Sequence, residues 1–254
     1  MNKVCPTVVI WLALSFIVAH VLHYIHNANC HCNPSHQASE AYFMQSLGVP
    51  DTVQIVDVYG IDPDLLAVVP RPVLALIMLF PCSDKHSEYK TEQEKEIVKK
   101  GQTVSENLFF LKQYVHNACG TIALIHSLAN NQERVTIKDG YLKEFLDQAK
   151  DLNPEDRGHL LQKSEGIINT HKDIAVEGQT EAPDPTDPVP YHFIALVEKE
   201  GSLYELDGRM SFPVNHGPSS PDTILEDAVK VAKTYMDRDP NNLHFTLVAL
   251  TMDS

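Results

Sequence analysis

The chain has 254 residues, of which 43% are hydrophobic, and it carries a formal net charge of −14 at pH 7. This length and apolar content suffice for one substantial core, whereas the negative charge excludes nucleic acid as a partner, because phosphates repel an acidic surface. The five cysteines, an odd number scattered along the chain, exclude a disulfide framework and favour a reducing compartment.

The first 37 residues differ in composition from the rest of the chain. Residues 8–25 form an almost unbroken apolar run, VVIWLALSFIVAHVLHYI, and Lys3 precedes it. Such a run is typical of a signal peptide core or a short membrane anchor. A first segment replaced through an alternative start or a misjoined exon also explains the foreign composition and its abrupt end. We favour this last interpretation, and a membrane anchor is the alternative.

The same segment contains many side chains that could bind zinc, namely His20, His23, His26, Cys30, His31, Cys32 and His36. Their spacing does not match the paired ligands of known structural zinc sites. Two of the histidines also interrupt the apolar run, which weakens a transmembrane interpretation because polar groups are costly in lipid. We therefore predict no bound metal ion, and we expect no cofactor.

After this segment, hydrophobic periodicity predicts both helices and strands. In chain order, the pattern predicts a helix at 38–47, a strand at 53–59, a helical turn from Pro63, a strand at 73–80, helices at 87–100 and 140–149, strands at 191–198 and 202–206, a helix at 222–237 and a strand at 244–251. The strand at 73–80 is apolar throughout and bounded by prolines, which is typical of a central strand buried on both faces. It is too short to span a bilayer. Together these elements predict one domain in which a sheet packs between helices.

Residues 151–190 connect the two halves of this pattern. They are rich in charged residues and proline, and their periodicity is weak. Connections of this length are usually functional or disordered. The stretch DPTDP at 184–188 is predicted to be a rigid spacer without chemistry of its own.

A thiol lies at the predicted start of an apolar helix. In the stretch QYVHNACGTI (113–122), Cys119 is followed by Ile122, Leu124, Ile125 and Leu128 at helical spacing. The unpaired N–H groups and the dipole at a helix N-terminus favour a thiolate over a thiol. A single cysteine is more often a small buried hydrophobe, but this setting makes Cys119 a candidate nucleophile.

Two side chains that could serve a thiolate lie further along the chain. His192 is on the apolar run YHFIALV, and Asp207 precedes a glycine in LYELDGR. We predict that the two stretches flank a hairpin that brings the imidazole and the carboxylate together. Taken singly, the histidine could be a core residue and the aspartate a turn former. Their combination with Cys119 favours a cysteine hydrolase.

Six segments carry a resemblance to a known family: VDVYGIDPDLLAVVPRPVLALIMLFP (56–81), NACGTIALIHSLANN (117–131), EGQTEAP (177–183), HFIALV (192–197), LYELDGR (203–209) and FPVNHG (212–217). The chain resembles the ubiquitin carboxyl-terminal hydrolases, cysteine proteases of the peptidase C12 type, and is similar to their short single-domain members. The resemblance extends in one uninterrupted order over roughly residues 38–252. It is far more specific than one cysteine and one histidine.

The resemblance implies a role for each candidate residue. Cys119 corresponds to the nucleophile, His192 to the general base and Asp207 to the acid that orients the imidazole. Gln113 corresponds to the oxyanion donor, a role that rests on its fixed offset before the nucleophile. Such a donor typically contributes a factor of about 10² to 10³ in rate.

The resemblance also implies the fold and the domain limits. It implies a papain-like α/β fold, with a central, mainly antiparallel sheet flanked by helices and with a knotted backbone. We expect the catalytic domain at 38–254, preceded by the atypical segment 1–37. A crossover loop that limits access to the thiolate is expected at about 151–172.

The implied partner is ubiquitin, and ubiquitin-like modifiers are further candidates. The C-terminal tail of ubiquitin, as the family implies, is basic and extended, so an acidic protein would attract it, although the same charge could serve solubility alone. We expect a cytoplasmic monomer that binds no nucleic acid. The alternative location is a membrane, through an anchor formed by residues 8–25.

Three functions follow from these observations. The first is a deubiquitinating cysteine hydrolase that cleaves after the C-terminal glycine of ubiquitin through a thioester acyl-enzyme and releases small adducts or peptides. The second is a ubiquitin-binding module in which the altered N-terminus impairs turnover. A generic papain-like peptidase is a third, weaker option. The intact set of candidate catalytic residues favours the hydrolase.

Overall fold

The structure of the protein is a computed structural model that describes residues 44–253, apart from 117, 169–189, 241 and 243. The apolar run at 8–25, the histidine- and cysteine-rich stretch beside it and the spacer at 184–188 lie outside the described residues. The described part of the helix predicted at 38–47 is a helical turn at 44–46. Among the described residues, no helix has both the length and the apolar character needed to cross a membrane.

The described strands are β1 (Val53–Asp57), β2 (Val73–Pro81), β3 (Tyr191–Lys199), β4 (Ser202–Leu206), β5 (Val214–Pro218) and β6 (Thr246–Met252). The described helices are α1 (Pro63–Leu66), α2 (Asp84–Lys100), α3 (Cys119–Ala129), α4 (Tyr141–Ala149), α5 (Pro154–Lys163) and α6 (Ile224–Arg238). The predicted strands and the predicted helices after residue 47 are confirmed, with ends that differ by a few residues.

Three differences from the predicted elements have local causes. Helix α2 begins earlier than predicted, because the hydroxyl of Ser83 accepts a hydrogen bond from the His86 N–H and caps the helix at this point. Helix α5 was not predicted, although Asn153 caps it through the Asp156 N–H and Pro154 occupies its first turn. Strand β5 was not predicted either, because it is a sheet edge whose sequence lacks apolar alternation.

The described residues form two compact units. The larger unit contains residues 52–110, 123–131 and 190–253 and includes all the described strands. The smaller unit contains residues 44–51, 111–122 and 132–168. Helix α3 contributes residues to both units.

The larger unit is built on one six-stranded sheet with the order β1-β6-β2-β3-β4-β5. Every pair of neighbouring strands is antiparallel, which agrees with the predicted mainly antiparallel sheet. Strand β2 has neighbours on both sides, and each of its residues is buried. The prediction of a central strand at this position is therefore confirmed.

An apolar layer holds α6 against the sheet. This helix is amphipathic and packs its apolar side on β2, β3 and β4. The layer includes Leu76, Met78, Ile194, Leu196, Leu225, Ala228 and Ala232. Burial of one large apolar side chain contributes about 1.5–3 kcal/mol, so this layer fixes the strands that carry the candidate catalytic residues.

Candidate active site

A tight hairpin joins β3 and β4, the two strands next to the candidate histidine and aspartate. Its two-residue turn consists of Glu200 and Gly201, whose φ angles are 49° and 81°. Positive φ at both positions gives the turn a twist that matches the right-handed twist of the strands. This turn therefore sets the register of the hairpin.

The register places His192 diagonally across from Asp207. Ala195 pairs with Leu206, so the next pair in the antiparallel ladder is Ile194 with Asp207. Ile194 lies two positions after His192 on the same strand. Diagonal neighbours of this kind share one face of the sheet and lie within reach of long side chains. Nε2 of His192 is 2.7 Å from Oδ1 of Asp207. The prediction that a hairpin brings the two side chains together is thus confirmed.

The imidazole and the carboxylate form a buried pair, which we call the dyad. His192 is 3% exposed and Asp207 is 5% exposed. The carboxylate oxygen that contacts the imidazole also accepts a hydrogen bond of 2.9 Å from the Arg209 N–H. Because the carboxylate engages Nε2, Nδ1 is the ring nitrogen that can exchange a proton with a reacting group.

Asp207 remains ionised despite its burial. Burial alone would raise the pKa of Asp207, but the charge and hydrogen bond of His192 outweigh it, and the nearby charge of Lys90 and the Arg209 N–H add to this effect. The net result is a pKa below the usual value of an aspartate. An ionised carboxylate holds the imidazole ring in one orientation and stabilises the imidazolium that forms when His192 takes a proton.

An aromatic ring on the neighbouring strand packs against the dyad. Phe80 pairs with His192 across β2 and β3. The two ring centroids are 5.7 Å apart and the rings meet edge-on at 82°. Phe80 also contacts the ring of His86 at 5.3 Å and that of Tyr235 at 4.8 Å. The contact with Phe80 restricts the orientation of the His192 imidazole, and the other two contacts hold Phe80 in place.

His86, which packs against Phe80 and Tyr235, makes the stability of the fold sensitive to acid. The residue is 3% exposed, and neither of its ring nitrogens has a hydrogen-bond partner among the described residues. Burial and the charge of Arg238 lower the pKa of His86 from its model-peptide value of 6.5. As the pH falls below 6.5, the unfolded chain therefore binds a proton at His86 before the folded protein does, which reduces the free energy of unfolding by up to about 1.4 kcal/mol per pH unit until the folded protein is protonated as well.

We expect His86→Leu to reduce this loss of stability. The measurement is urea unfolding at pH 7.5 and at pH 5.5, and the variant should lose less stability between the two than the wild type does. His244→Leu, a substitution of an exposed histidine in the same unit, serves as the matched control and should leave the difference unchanged. If His86→Leu loses as much stability between pH 7.5 and pH 5.5 as the wild type does, His86 does not contribute to the acid sensitivity.

Cys119 belongs to the smaller unit and is the first residue of α3. It is 2% exposed. The Ile122 N–H donates to the carbonyl of Ala118 at 2.9 Å, so helical hydrogen bonding begins beside the thiol. The prediction that this cysteine lies at the start of an apolar helix is confirmed. At this position the peptide dipoles favour the thiolate.

Gln113 lies in the same unit as Cys119. Its Nε2 donates a hydrogen bond of 3.1 Å to the Val115 carbonyl. Its Oε1 is buried and has no hydrogen-bond partner in the described part of the chain. Because a primary amide carries two N–H bonds, one remains for an oxyanion. The side chain can therefore act as the predicted donor, and that role stays a prediction.

Helix α5 holds the segment that carries Gln113. The Lys112 N–H donates to the Pro154 carbonyl at 3.0 Å, and the Gln162 side-chain amide donates to the Tyr114 carbonyl at 3.1 Å. The ring of Tyr114 stacks on that of His159 at 4.2 Å. The helix lies within residues 151–172, where the crossover loop was expected, and residues 169–172 of that range are outside the described residues.

We expect Gly158→Ala to destabilise the smaller unit. An added Cβ would lie 2.2 Å from the Lys112 carbonyl oxygen and 2.7 Å from the ring of Tyr114. In an open helical position the same change would stabilise by about 0.5–1 kcal/mol, but here a backbone atom must move, so overpacking should cost a net amount of about 1–3 kcal/mol.

Thermal unfolding and the hydrolysis rate test this substitution. Because the displaced segment carries Gln113, the rate should fall by at most the factor of about 10² to 10³ expected for an oxyanion donor. Lys163→Ala, in the exposed last turn of the same helix, should change neither quantity. A stabilised Gly158→Ala variant would show that the contact is not tight.

Sequence reasoning missed two charged residues next to the dyad. Glu205 of β4 is 1% exposed, and Lys90 of α2 forms an ion pair with it. A charged residue inside the otherwise apolar strand LYEL was the available signal for Glu205. No local pattern marks Lys90, because it is one of many charged residues on its helix. In the described residues, no group of three or more histidines, cysteines, aspartates or glutamates could hold a metal ion.

Comparisons with known proteins show which family this chain is similar to. A family model for ubiquitin carboxyl-terminal hydrolase, family 1, matches residues 35–237. The chain is 49% identical over 209 residues to a ubiquitin carboxyl-terminal hydrolase of Drosophila melanogaster, with 82% of this chain and 91% of the relative covered. It is 44% identical over 208 residues to ubiquitin carboxyl-terminal hydrolase isozyme L1 of Homo sapiens, again with 82% and 91% covered.

A solved structure shares the fold. The catalytic domain of Trichinella spiralis UCH37, bound to ubiquitin vinyl methyl ester, superposes with a TM-score of 0.65 at 24% identity, with 85% of this chain and 93% of that chain covered. Together with the antiparallel sheet and its flanking helices, this similarity supports the papain-like α/β fold that was expected. The family match and the curated relatives show that the chain belongs to the ubiquitin carboxyl-terminal hydrolase family and is a cysteine-type hydrolase.

Proposed function

We propose that this chain hydrolyses the bond after the C-terminal glycine of ubiquitin, with Cys119 as the nucleophile. The buried pair of His192 and Asp207, 2.7 Å apart, is the observation that carries this proposal. A neutral core histidine would not need an ionised carboxylate, whereas a proton-transferring imidazole does. The similarity to curated ubiquitin hydrolases over 82% of the chain supports the choice of substrate.

Each step of the reaction uses one of these residues. The Cys119 thiolate attacks the carbonyl carbon of the terminal glycine, and the Gln113 side-chain amide donates to the oxyanion. As the bond to the leaving amine breaks, the His192 imidazolium gives this amine its proton, which leaves a thioester. A water molecule then attacks the thioester while His192 accepts its proton, and the thiolate departs. Asp207 holds the ring and stabilises its charged form throughout.

The substrate range and location extend this proposal. The net charge of −14 would attract the basic tail of ubiquitin or of a ubiquitin-like modifier. A crossover segment at about 151–172 would admit small adducts and short peptides more readily than folded proteins. We further propose that the protein is cytoplasmic, because its scattered cysteines fit a reducing compartment. We also propose that it is a monomer. A membrane anchor at 8–25 is the alternative.

A ubiquitin C-terminal fluorogenic substrate tests the function. We expect hydrolysis by the full chain and by a chain that begins at residue 38. Hydrolysis by the shorter chain alone would show that the first 37 residues impair turnover. Tight ubiquitin binding without hydrolysis by either chain would favour the alternative function, a ubiquitin-binding module.

A further inference from the structure

A buried ionic cluster surrounds Glu205 in the larger unit. Lys90 pairs with one oxygen of its carboxylate, and the Tyr235 hydroxyl donates to the same oxygen at 2.9 Å. Nε2 of His216 lies 2.9 Å from the other oxygen. Four elements, α2, β4, β5 and α6, thus direct one polar side chain each to a single point of the interior.

This cluster lies beside the dyad. Glu205 and Asp207 are two positions apart along the chain. Side chains two positions apart on an extended strand lie on the same face of the sheet, so both carboxylates are on one face. Lys90 forms the ion pair with Glu205, and its charge also lowers the pKa of Asp207. One cation therefore acts on two carboxylates.

The other titratable and charged groups packed around this region are His192, Arg209, Cys82, Glu94, His86 and Arg238. The Arg209 guanidinium is directed to the Cys82 thiol at 3.7 Å, and the Arg238 guanidinium lies over the Tyr235 ring at 4.5 Å. Lys90 supplies a positive charge at Glu205, and the imidazole of His216 adds to it when the ring is protonated.

Fold stability alone does not account for such a cluster. Burial of two charges carries a large desolvation cost, and well-packed apolar residues of similar volume are often equally or more stabilising. The opposite charges do have an electrostatic consequence at the dyad. Loss of either one would leave a net charge in a buried region of low polarity, where charge acts on its neighbours more strongly than in water.

We propose that Lys90 and Glu205 are positioning residues for the hydrolase reaction, a charge-balanced pair beside the dyad of His192 and Asp207 that sets the pH range in which the dyad transfers protons. This inference rests on the proposed function, because it assigns a task to residues that act through the dyad and do not touch the substrate.

The sign of the expected effect follows from charge. Lys90→Met removes the fixed positive charge beside Glu205, and the added net negative charge favours the protonated imidazolium of His192. The limb of the kcat/KM pH profile that reports deprotonation of His192 should therefore move to higher pH, by roughly one unit, the shift that a unit charge about 10 Å away gives at an effective dielectric constant near 20. Glu205→Gln leaves the positive charge of Lys90 and should move the same limb to lower pH.

The test compares four variants with the wild type on a fluorogenic ubiquitin substrate. Lys90→Met and Glu205→Gln should shift the profile in opposite directions, and the double variant should return it to the wild-type position. Lys95→Met removes the same charge from an exposed position of α2, where solvent screens it, and should not move the profile. Profiles that stay in place, or that move in the same direction in both single variants, would overturn the proposal.

A second readout separates this inference from the proposed function. The pKa of His192, measured by NMR titration in the same variants, should shift with the same signs whether or not the protein turns over substrate. Absence of hydrolysis by the wild type would count against the proposed function alone. If Lys90→Met does not fold, as judged by circular dichroism, the direction of the shift in Glu205→Gln decides the matter.

Discussion

Cys119→Ala should abolish hydrolysis of ubiquitin C-terminal substrates while binding of ubiquitin persists. Removal of a nucleophile that acts as one unit with its base lowers kcat by a factor of roughly 10⁶ in hydrolases of this general kind. Binding should survive because loss of one sulfur atom at a helix terminus removes little contact area. The measurements are turnover of a fluorogenic substrate and titration with unmodified ubiquitin.

Cys82→Ala is the matched control for this prediction. Cys82 is the exposed thiol that contacts the guanidinium of Arg209, and it lies between the end of β2 and Ser83, the residue that caps α2. Its removal should leave the rate close to that of the wild type. Residual turnover by Cys119→Ala, or its loss in Cys82→Ala, would show that the nucleophile is assigned to the wrong residue.

His192→Ala should reduce kcat nearly as much as the loss of the thiol, by a factor of roughly 10⁵ to 10⁶. Asp207→Asn should cost less, roughly 10⁴, because the carboxylate orients the ring while the imidazole itself carries the proton. The asparagine fills the same space, so the buried pair should remain packed. Rates under substrate saturation, together with thermal unfolding, separate this chemical effect from a loss of stability.

Asp222→Asn provides the comparison for the dyad. It makes the same chemical change at an exposed carboxylate in the same unit and should leave kcat unchanged. A His192→Ala variant with near wild-type activity would remove this histidine from the mechanism. An Asp207→Asn variant that loses stability but keeps its rate would make the aspartate a structural residue.

The parts of the fold that could be predicted from the sequence are those with a strong local signal. Strand β2 is apolar from Val73 to Phe80 between two prolines, and such a run has few alternatives to a central strand. The apolar residues after Cys119 have helical spacing, which places the thiol at a helix start. The stretches around His192 and Asp207 are close in sequence, so a hairpin was the simplest way to join them.

The parts that could not be predicted depend on contacts between distant segments. Helix α5 has a cap and a proline at its start, but its charged sequence gives it no clear apolar face, and its contacts with Lys112 and Tyr114 come from another part of the chain. The ion pair of Lys90 and Glu205 joins residues 115 positions apart. Only the packing of α2 beside the sheet brings this lysine to the strand, and composition alone cannot show that.

The most direct test of the proposed mechanism is covalent capture with ubiquitin vinyl methyl ester followed by mass spectrometry. We predict a single adduct of one ubiquitin per chain, mapped to the peptide that contains Cys119, and its complete absence in Cys119→Ala. An adduct on Cys82 or on any other cysteine, or no adduct with a folded wild-type chain, would contradict the account.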